Sequence, residues 1–238
     1  SLLASNRVLN FATDLGLEEA WNYGLNITQN FKIVRRDASF SIDLYRTDFA
    51  QQILVDVDQS PTEVFFYNVD GKSFSNSLLA TLQYNLLPGL DIKFAYKWND
   101  VRATFADGVL REIPLVAKHR GLVTLDYTTP NKKWMFNTRV QLVGAQRLPD
   151  NSLIPHQYTH DFPEASPTYA IWNAQITRSF GKKIELYIGG ENLNGFQQHN
   201  AIIAANEPDS PYLNGSQIWG PIMGQVAYLG VRFAPSGL

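Results

Sequence analysis

His156 and His160 stand four residues apart in His-Gln-Tyr-Thr-His, a spacing that would put two imidazoles on one face of a helix and could serve zinc. No glutamate follows the first histidine, prolines punctuate the segment, and no third ligand has usable spacing. The pair therefore reads as part of a solvated or ligand-contacting loop, and no metal is assigned. Zero cysteines exclude disulfides, thiolate metal sites and a cysteine nucleophile together. No Ser/His/Asp arrangement, phosphate-binding glycine loop or closely spaced carboxylate pair can be argued, so neither an enzymatic activity nor a cofactor is expected. The residues that remain suit binding. Asn206, Glu207, Asp209, Tyr212 and Trp219 mix aromatics with acids and amides, a set that fits sugars or polar chelates and equally fits an ordinary capped loop. Lys97, Asn99 and Arg102 form a second set, read as lining a substrate path near the end of one segment.

The elements that must position these residues follow from composition and period. The 238 residues are 45% hydrophobic and 13% aromatic, with 16 Gly and 12 Pro, but only 18% charged, below the roughly 25% of an average soluble domain. A net charge of −2 supplies no field for phosphates, so nucleic acid is not an expected partner. No apolar run approaches the roughly 18 residues of a membrane-spanning helix. Membrane β-strands escape that test, because about 9–11 alternating residues suffice.

Alternation with period 2 recurs along the whole chain. Trp21, Tyr23, Leu25 and Ile27 oppose Asn22, Gly24, Asn26 and Thr28; Ile92, Phe94, Tyr96 and Trp98 oppose Asp91, Lys93, Ala95 and Lys97. Nine strands are predicted, at about 21–33, 38–54, 74–87, 91–105, 113–128, 134–148, 168–180, 184–196 and 222–233. The polar-phase residues Lys93, Lys97, Arg139 and Arg178, with Asp43, Asp126 and Glu185, are expected on the inner face if the sheet closes into a barrel.

Connection lengths distinguish a barrel from a soluble sandwich. The gaps alternate short and long: 34–37, then 55–73; 88–90, then 106–112; 129–133, then 149–167; 181–183, then 197–221. An up-and-down barrel of the outer membrane, with short periplasmic turns at one rim and long extracellular loops at the other, predicts that parity. The last strand then runs to the short-turn rim, which places the C-terminus in the periplasm. Nine is odd where single-chain bacterial barrels are even, so the chain reads as about nine strands of a larger barrel. The reading divides it into an extracellular loop remnant at 1–20, barrel strands and loops at 21–233, and a C-terminal extension at 234–238. A carbohydrate-binding β-sandwich is the alternative from a different class.

Four motifs then carry a resemblance. They are Leu15-Gly16-Leu17-Glu18-Glu19-Ala20-Trp21-Asn22-Tyr23-Gly24, Ile113-Pro114 with His119-Arg120-Gly121, Gly190-Glu191-Asn192-Leu193-Asn194, and Trp219-Gly220-Pro221-Ile222-Met223-Gly224 leading into Tyr228-Leu229-Gly230-Val231-Arg232-Phe233. In this order the chain resembles the C-terminal part of TonB-dependent outer-membrane receptors, particularly those of Bacteroidetes. The first motif departs from the family pattern, with Gly16 and Glu19 in place of Lys and Ser or Thr and without the proline. The resemblance implies a 22-stranded barrel with an N-terminal plug, of which these would be the last nine strands. It also implies outer-membrane lipid, the plug with the remaining strands, the TonB complex reached through that plug, and a small polar ligand as partners. Since the plug lies outside this sequence, the segment alone is not expected to perform energised transport. An iron chelate is the leading cargo by resemblance. Import of glycans is the alternative, although Trp-Gly-Pro-Ile-Met-Gly does not look like the pattern of the glycan receptors.

Overall fold

The computed structural model describes residues 5–160 and 162–234; of the expected C-terminal extension, 235–238 lie outside the described residues. A short strand, β1 (Val8–Phe11), precedes the first long one, β2 (Glu19–Ile33), which turns into β3 (Arg36–Gln51). A hairpin of β4 (Ile53–Asp56) and β5 (Glu63–Asn68) leads to β6 (Ser73–Leu87) and β7 (Leu90–Thr104). After β8 (Leu110–Glu112) come β9 (His119–Thr128) and β10 (Trp134–Val143). A single helical turn, α1 (His156–Thr159), separates these from β11 (Tyr169–Phe180), β12 (Ile184–Glu191) and β13 (Val226–Phe233).

The nine long strands form one antiparallel meander, β2-β3-β6-β7-β9-β10-β11-β12-β13, in which each pairs with its neighbours in sequence order. This is the up-and-down arrangement that the parity of the gaps predicts. β2, β6 and β7 have 15 residues and β3 has 16, about 50 Å at the usual rise. They therefore outreach a hydrocarbon core about 30 Å thick even when tilted.

Directly opposed residues share a face, so the register shows how the apolar positions join up. Phe40, Leu82, Phe94, Val123, Val140 and Trp172 form one row across six strands; Ile176, Ile188 and Leu229 form another across three. Ile92, Phe94, Tyr96 and Trp98 all belong to this apolar face, as the alternation requires. No second sheet of comparable size covers it among the described residues. A compact 26.8 kDa monomer exposes about 10,800 Å², whereas this chain exposes 14501 Å². That excess is what an open single-layer sheet leaves exposed on both faces, and a single layer is not a β-sandwich.

On the other face, tyrosines lie across glycines. Tyr45 stands opposite Gly24, Tyr187 opposite Gly230 and Tyr228 opposite Gly189. A Cβ at any of these glycines would run into the facing ring. The missing side chain thus makes room for an aromatic that covers bare backbone and pins the local register.

Strand ends differ from the sequence reading at several places, for local reasons. The strand expected to reach residue 196 stops at Glu191 because Asn192 turns left-handed (φ 51°). Its buried side chain then accepts from the Phe196 N–H at 3.0 Å and donates to the Phe196 and Met223 carbonyls at 2.7 and 3.2 Å. Asn194 clamps the adjacent strand, accepting from the Trp172 N–H and donating to the Ala170 carbonyl. The expected strand 113–128 begins only at His119, after a left-handed Leu115 (φ 63°). The strand expected over 134–148 stops at Val143, and the expected strand 222–233 begins at Val226.

The long connection after β3 is not bare loop. β4 and β5 form a small sheet to which β1 adds in parallel alongside β5, with Phe11 stacked on Phe66 at 4.5 Å. Leu54, Ala103 and Phe105 make a buried apolar knot beneath it. Most of the molecule's interior packing is at this end.

Candidate functional site

Near the long-connection ends of the strands, register sets Lys97, Arg120, Val143 and Tyr169 in one row across β7, β9, β10 and β11, on the face opposite the apolar band. Neighbouring strands are about 4.8 Å apart, so the row is about 14 Å wide. Lys97 and Arg120 are directly opposed and exposed, and neither meets a carboxylate among the described residues. Like charges so placed oppose each other. Two strands away, Tyr169 ends the row in an aromatic cluster: its ring stacks on Phe196 at 4.6 Å and an interplanar angle of 1°, and Trp219 lies 5.6 Å from it.

Backbone anchoring holds Trp219 in place. Its N–H and that of Gly220 donate to Gln198 Oε1 at 2.8 and 3.0 Å, and its carbonyl accepts from the Tyr169 hydroxyl and from Gln146 Nε2. Gln198 in turn donates to the Gln217 carbonyl, and fully buried Gln217 donates to Pro149 and Asn151. Connection 192–225 is thereby stitched to 144–168 by amides, which can donate and accept at once.

A second set of contacts draws in the remaining loops. Arg147 pairs with Asp58 at 2.6 Å, donates to the Glu112 carbonyl at 2.8 Å and lies over the Phe105 ring. Burial pulls the Arg7 guanidinium below its ordinary pKa, while nearby Asp58 opposes that shift. Burial, followed by the hydrogen bond to Asp56, pushes the Tyr67 hydroxyl well above its ordinary value. These are scaffold groups that tie the loops to one another.

The predicted site residues distribute as follows. Lys97 lies in the row described. Asn99 shares its face but donates to the Ala117 carbonyl at 3.4 Å. Arg102 is in the opposite phase, aligned with Trp98, and pairs with Asp100 at 2.8 Å and Glu112 at 3.8 Å. It is thus separated from Lys97 and Asn99 by the sheet itself. Arg178, expected inside, also lies on the apolar face, opposite Trp134 and Leu186. His156 opens the helical turn and His160 caps its end, with ring centroids 6.3 Å apart, and no group of three potential metal ligands exists among the described residues. Between them in sequence, Tyr158 donates to Glu207 at 2.7 Å and packs on Tyr212 at 5.6 Å, bringing two candidates from the next long loop to this one. Asn206 and Asp209 are exposed on that loop.

Sequence reasoning missed Arg120, Tyr169 and Phe196 as site residues. Tyr169 carried a signal: it is an aromatic in the polar phase of its strand, at the long-gap end. A concavity of about 780 Å³ lies elsewhere, at the short-turn end of the inner face beside Lys93, Asp91 and Asp126. Its lining mixes Lys32 and Lys93 with Asp37, Asp91 and Asp126, so its cations have acids beside them, and the row at the loop end, where Lys97 and Arg120 have none, is the better candidate for an anion.

The family model for the TonB dependent receptor-like β-barrel matches residues 3–193. The chain belongs to that family. None of the curated proteins matches this receptor barrel in sequence. Solved structures do match its fold. The ferric enterobactin receptor PfeA of Pseudomonas aeruginosa, as a double mutant, superposes with a TM-score of 0.62 at 15% identity over 97% of this chain and 34% of that one. The ferric-catecholate import receptor Fiu of E. coli K12 gives 0.60 at 13% identity over 93% and 28%. The siderophore receptor PiuA of Acinetobacter baumannii gives 0.57 at 14% over 91% and 28%. The receptor barrel described here thus spans about a third of the length of these proteins. Barrels of this family reside in the outer membrane, and the family comprises receptors and transporters, not enzymes.

Proposed function

We propose that this chain forms part of the wall of an outer-membrane receptor, of the Bacteroidetes type suggested by its four motifs, that imports a scarce polar nutrient carrying negative charge. A ferric chelate is the leading cargo. One observation carries the reading: Lys97 and Arg120 face each other with no carboxylate partner on the side of the sheet away from the apolar band, beside the Tyr169, Phe196 and Trp219 cluster. An anion between these two cations would relieve their repulsion and gain charge-assisted hydrogen bonds. A neutral glycan would not, and the Tyr169 and Phe196 rings that could stack on sugars are already stacked on each other. The plug, the remaining strands and the TonB complex complete the proposed machine.

In the full-length receptor, Lys97→Gln with Arg120→Gln should weaken binding of a ferric chelate at least tenfold while leaving the barrel folded. Shortening 197–221 should also weaken uptake. Unchanged binding in both would remove this row from the site. The proposed orientation puts long connections outside and the C-terminus in the periplasm. Ser152→Cys and Asp209→Cys, both exposed, should react with an impermeant thiol reagent on intact cells, and Asn131→Cys should not.

A further inference from the structure

We infer that the short-turn rim is a docking surface for anionic phospholipid headgroups, centred on Arg178; the inference rests on the membrane-spanning reading above. Arg178 lies on the apolar face in line with Ile176 and Phe180, at the end of the band. Its guanidinium sits over the Trp134 ring at 4.5 Å and the Phe180 ring at 5.1 Å. No carboxylate reaches it among the described residues. Two aromatic faces thus hold a cation at the level where the apolar band gives way to turns, which is where aromatic side chains meet headgroups. The arrangement leaves its N–H donors free for an acceptor from outside the protein.

The neighbouring turns extend the positive surface. Lys132 and Lys133 lie in the β9–β10 turn, Lys182 and Lys183 in the β11–β12 turn that flanks Arg178, and Arg35 in the β2–β3 turn. All five are exposed and lack an ion-pair partner among the described residues. The opposite rim of the same outward face shows the contrast. There Arg46 is paired with Asp48, Arg102 with Asp100 and Glu112, and Lys118 with Glu112. Arg178 and these five turn cations, unpaired beside a lipid-facing band, match a layer of anionic phosphodiesters at that rim. Basic residues near such a surface strengthen attraction roughly fivefold each. An acidic soluble protein would not explain why Arg178 is held among lipid-facing aromatics.

The test uses the full-length receptor in detergent, incubated with equal phosphatidylglycerol and phosphatidylcholine and examined by native mass spectrometry. Wild type should retain phosphatidylglycerol at least fivefold over phosphatidylcholine. Arg178→Gln combined with Gln at Lys132, Lys133, Lys182 and Lys183 should bring the ratio near one. Arg46→Gln with Arg102→Gln should leave it unchanged, and so should competing inorganic phosphate. Equal retention in wild type and the short-turn variant, or equal loss from both rims, overturns the inference. Heat-modifiable migration on gels reports the barrel independently, so loss of lipid preference and failure of the membrane reading are distinguishable. If the five-fold variant does not fold, Arg178→Lys should keep the preference. Wild type should lose it at about 1 M salt, where screening acts over ~3 Å; persistence there also overturns the inference.

Discussion

At the loop-bearing rim of the sheet, outward-facing cations find their counter-ions within the chain: Arg46 reaches Asp48, Arg102 reaches Asp100 and Glu112, and Lys118 reaches Glu112. At the short-turn rim, Arg178 rests on rings and the turn lysines point to no acid. The difference follows from chain available at each end. Long connections can fold back and form β4, β5 and β8, and Glu112 of β8 reaches Arg102 and Lys118, while Asp48 and Asp100 lie two residues from their cations on the same strands. Turns of two to five residues add little chain of their own, and Lys132, Lys133, Lys182 and Lys183 meet no acid among the described residues. On the outward face, the loop rim answers Arg46 and Arg102 from within the chain, and the short-turn rim leaves Arg178 and the turn lysines to the surroundings.

Four substitutions break or sharpen that contrast. The comparison needs an apolar band between the rims, so Phe94→Arg should have the largest effect, about 2–4 kcal/mol if it lies near the bilayer midplane. Ala95→Arg, on the other face, should cost clearly less; unfolding titrations in lipid vesicles would show it, and equal costs would contradict the register. Next, Asp58→Asn removes the counter-ion of Arg147, with Asp58 almost fully buried. It should loosen the loop rim by about 2 kcal/mol, the scale of a hydrogen bond to a charged group. Faster proteolysis between 144 and 168 with an unchanged heat-modifiable barrel would confirm that the rim is held by its own contacts. The smallest effect belongs to Arg46→Gln. Its partner is as exposed as it is, so the unfolding midpoint should not move measurably.

Much of the fold was legible in sequence because alternation is local. A residue's face relative to its second neighbour depends only on the pleat, so the nine strands and their apolar faces could be read without knowing what pairs with what. The same arithmetic exposes the error at Arg102, which lies an odd number of residues from Lys97 and therefore on the opposite face. Arg178 was misplaced for another reason. Charge was taken to imply the polar phase, whereas at the rim a guanidinium can lie on the apolar side by covering aromatic rings.

Sequence by itself determined the nine strands of the meander, the alternation of turns and loops, and the family motifs, all of which depend on short-range order along one chain; it missed β1, β4, β5 and β8. The candidate row of Lys97, Arg120 and Tyr169 was decided by tertiary structure, because register joins residues from three separate strands. So was the meeting of Tyr158 with Glu207 and Tyr212. Loop conformation depends on which amides and carboxylates come within reach once the strands have paired. No spacing along the chain encodes that distance.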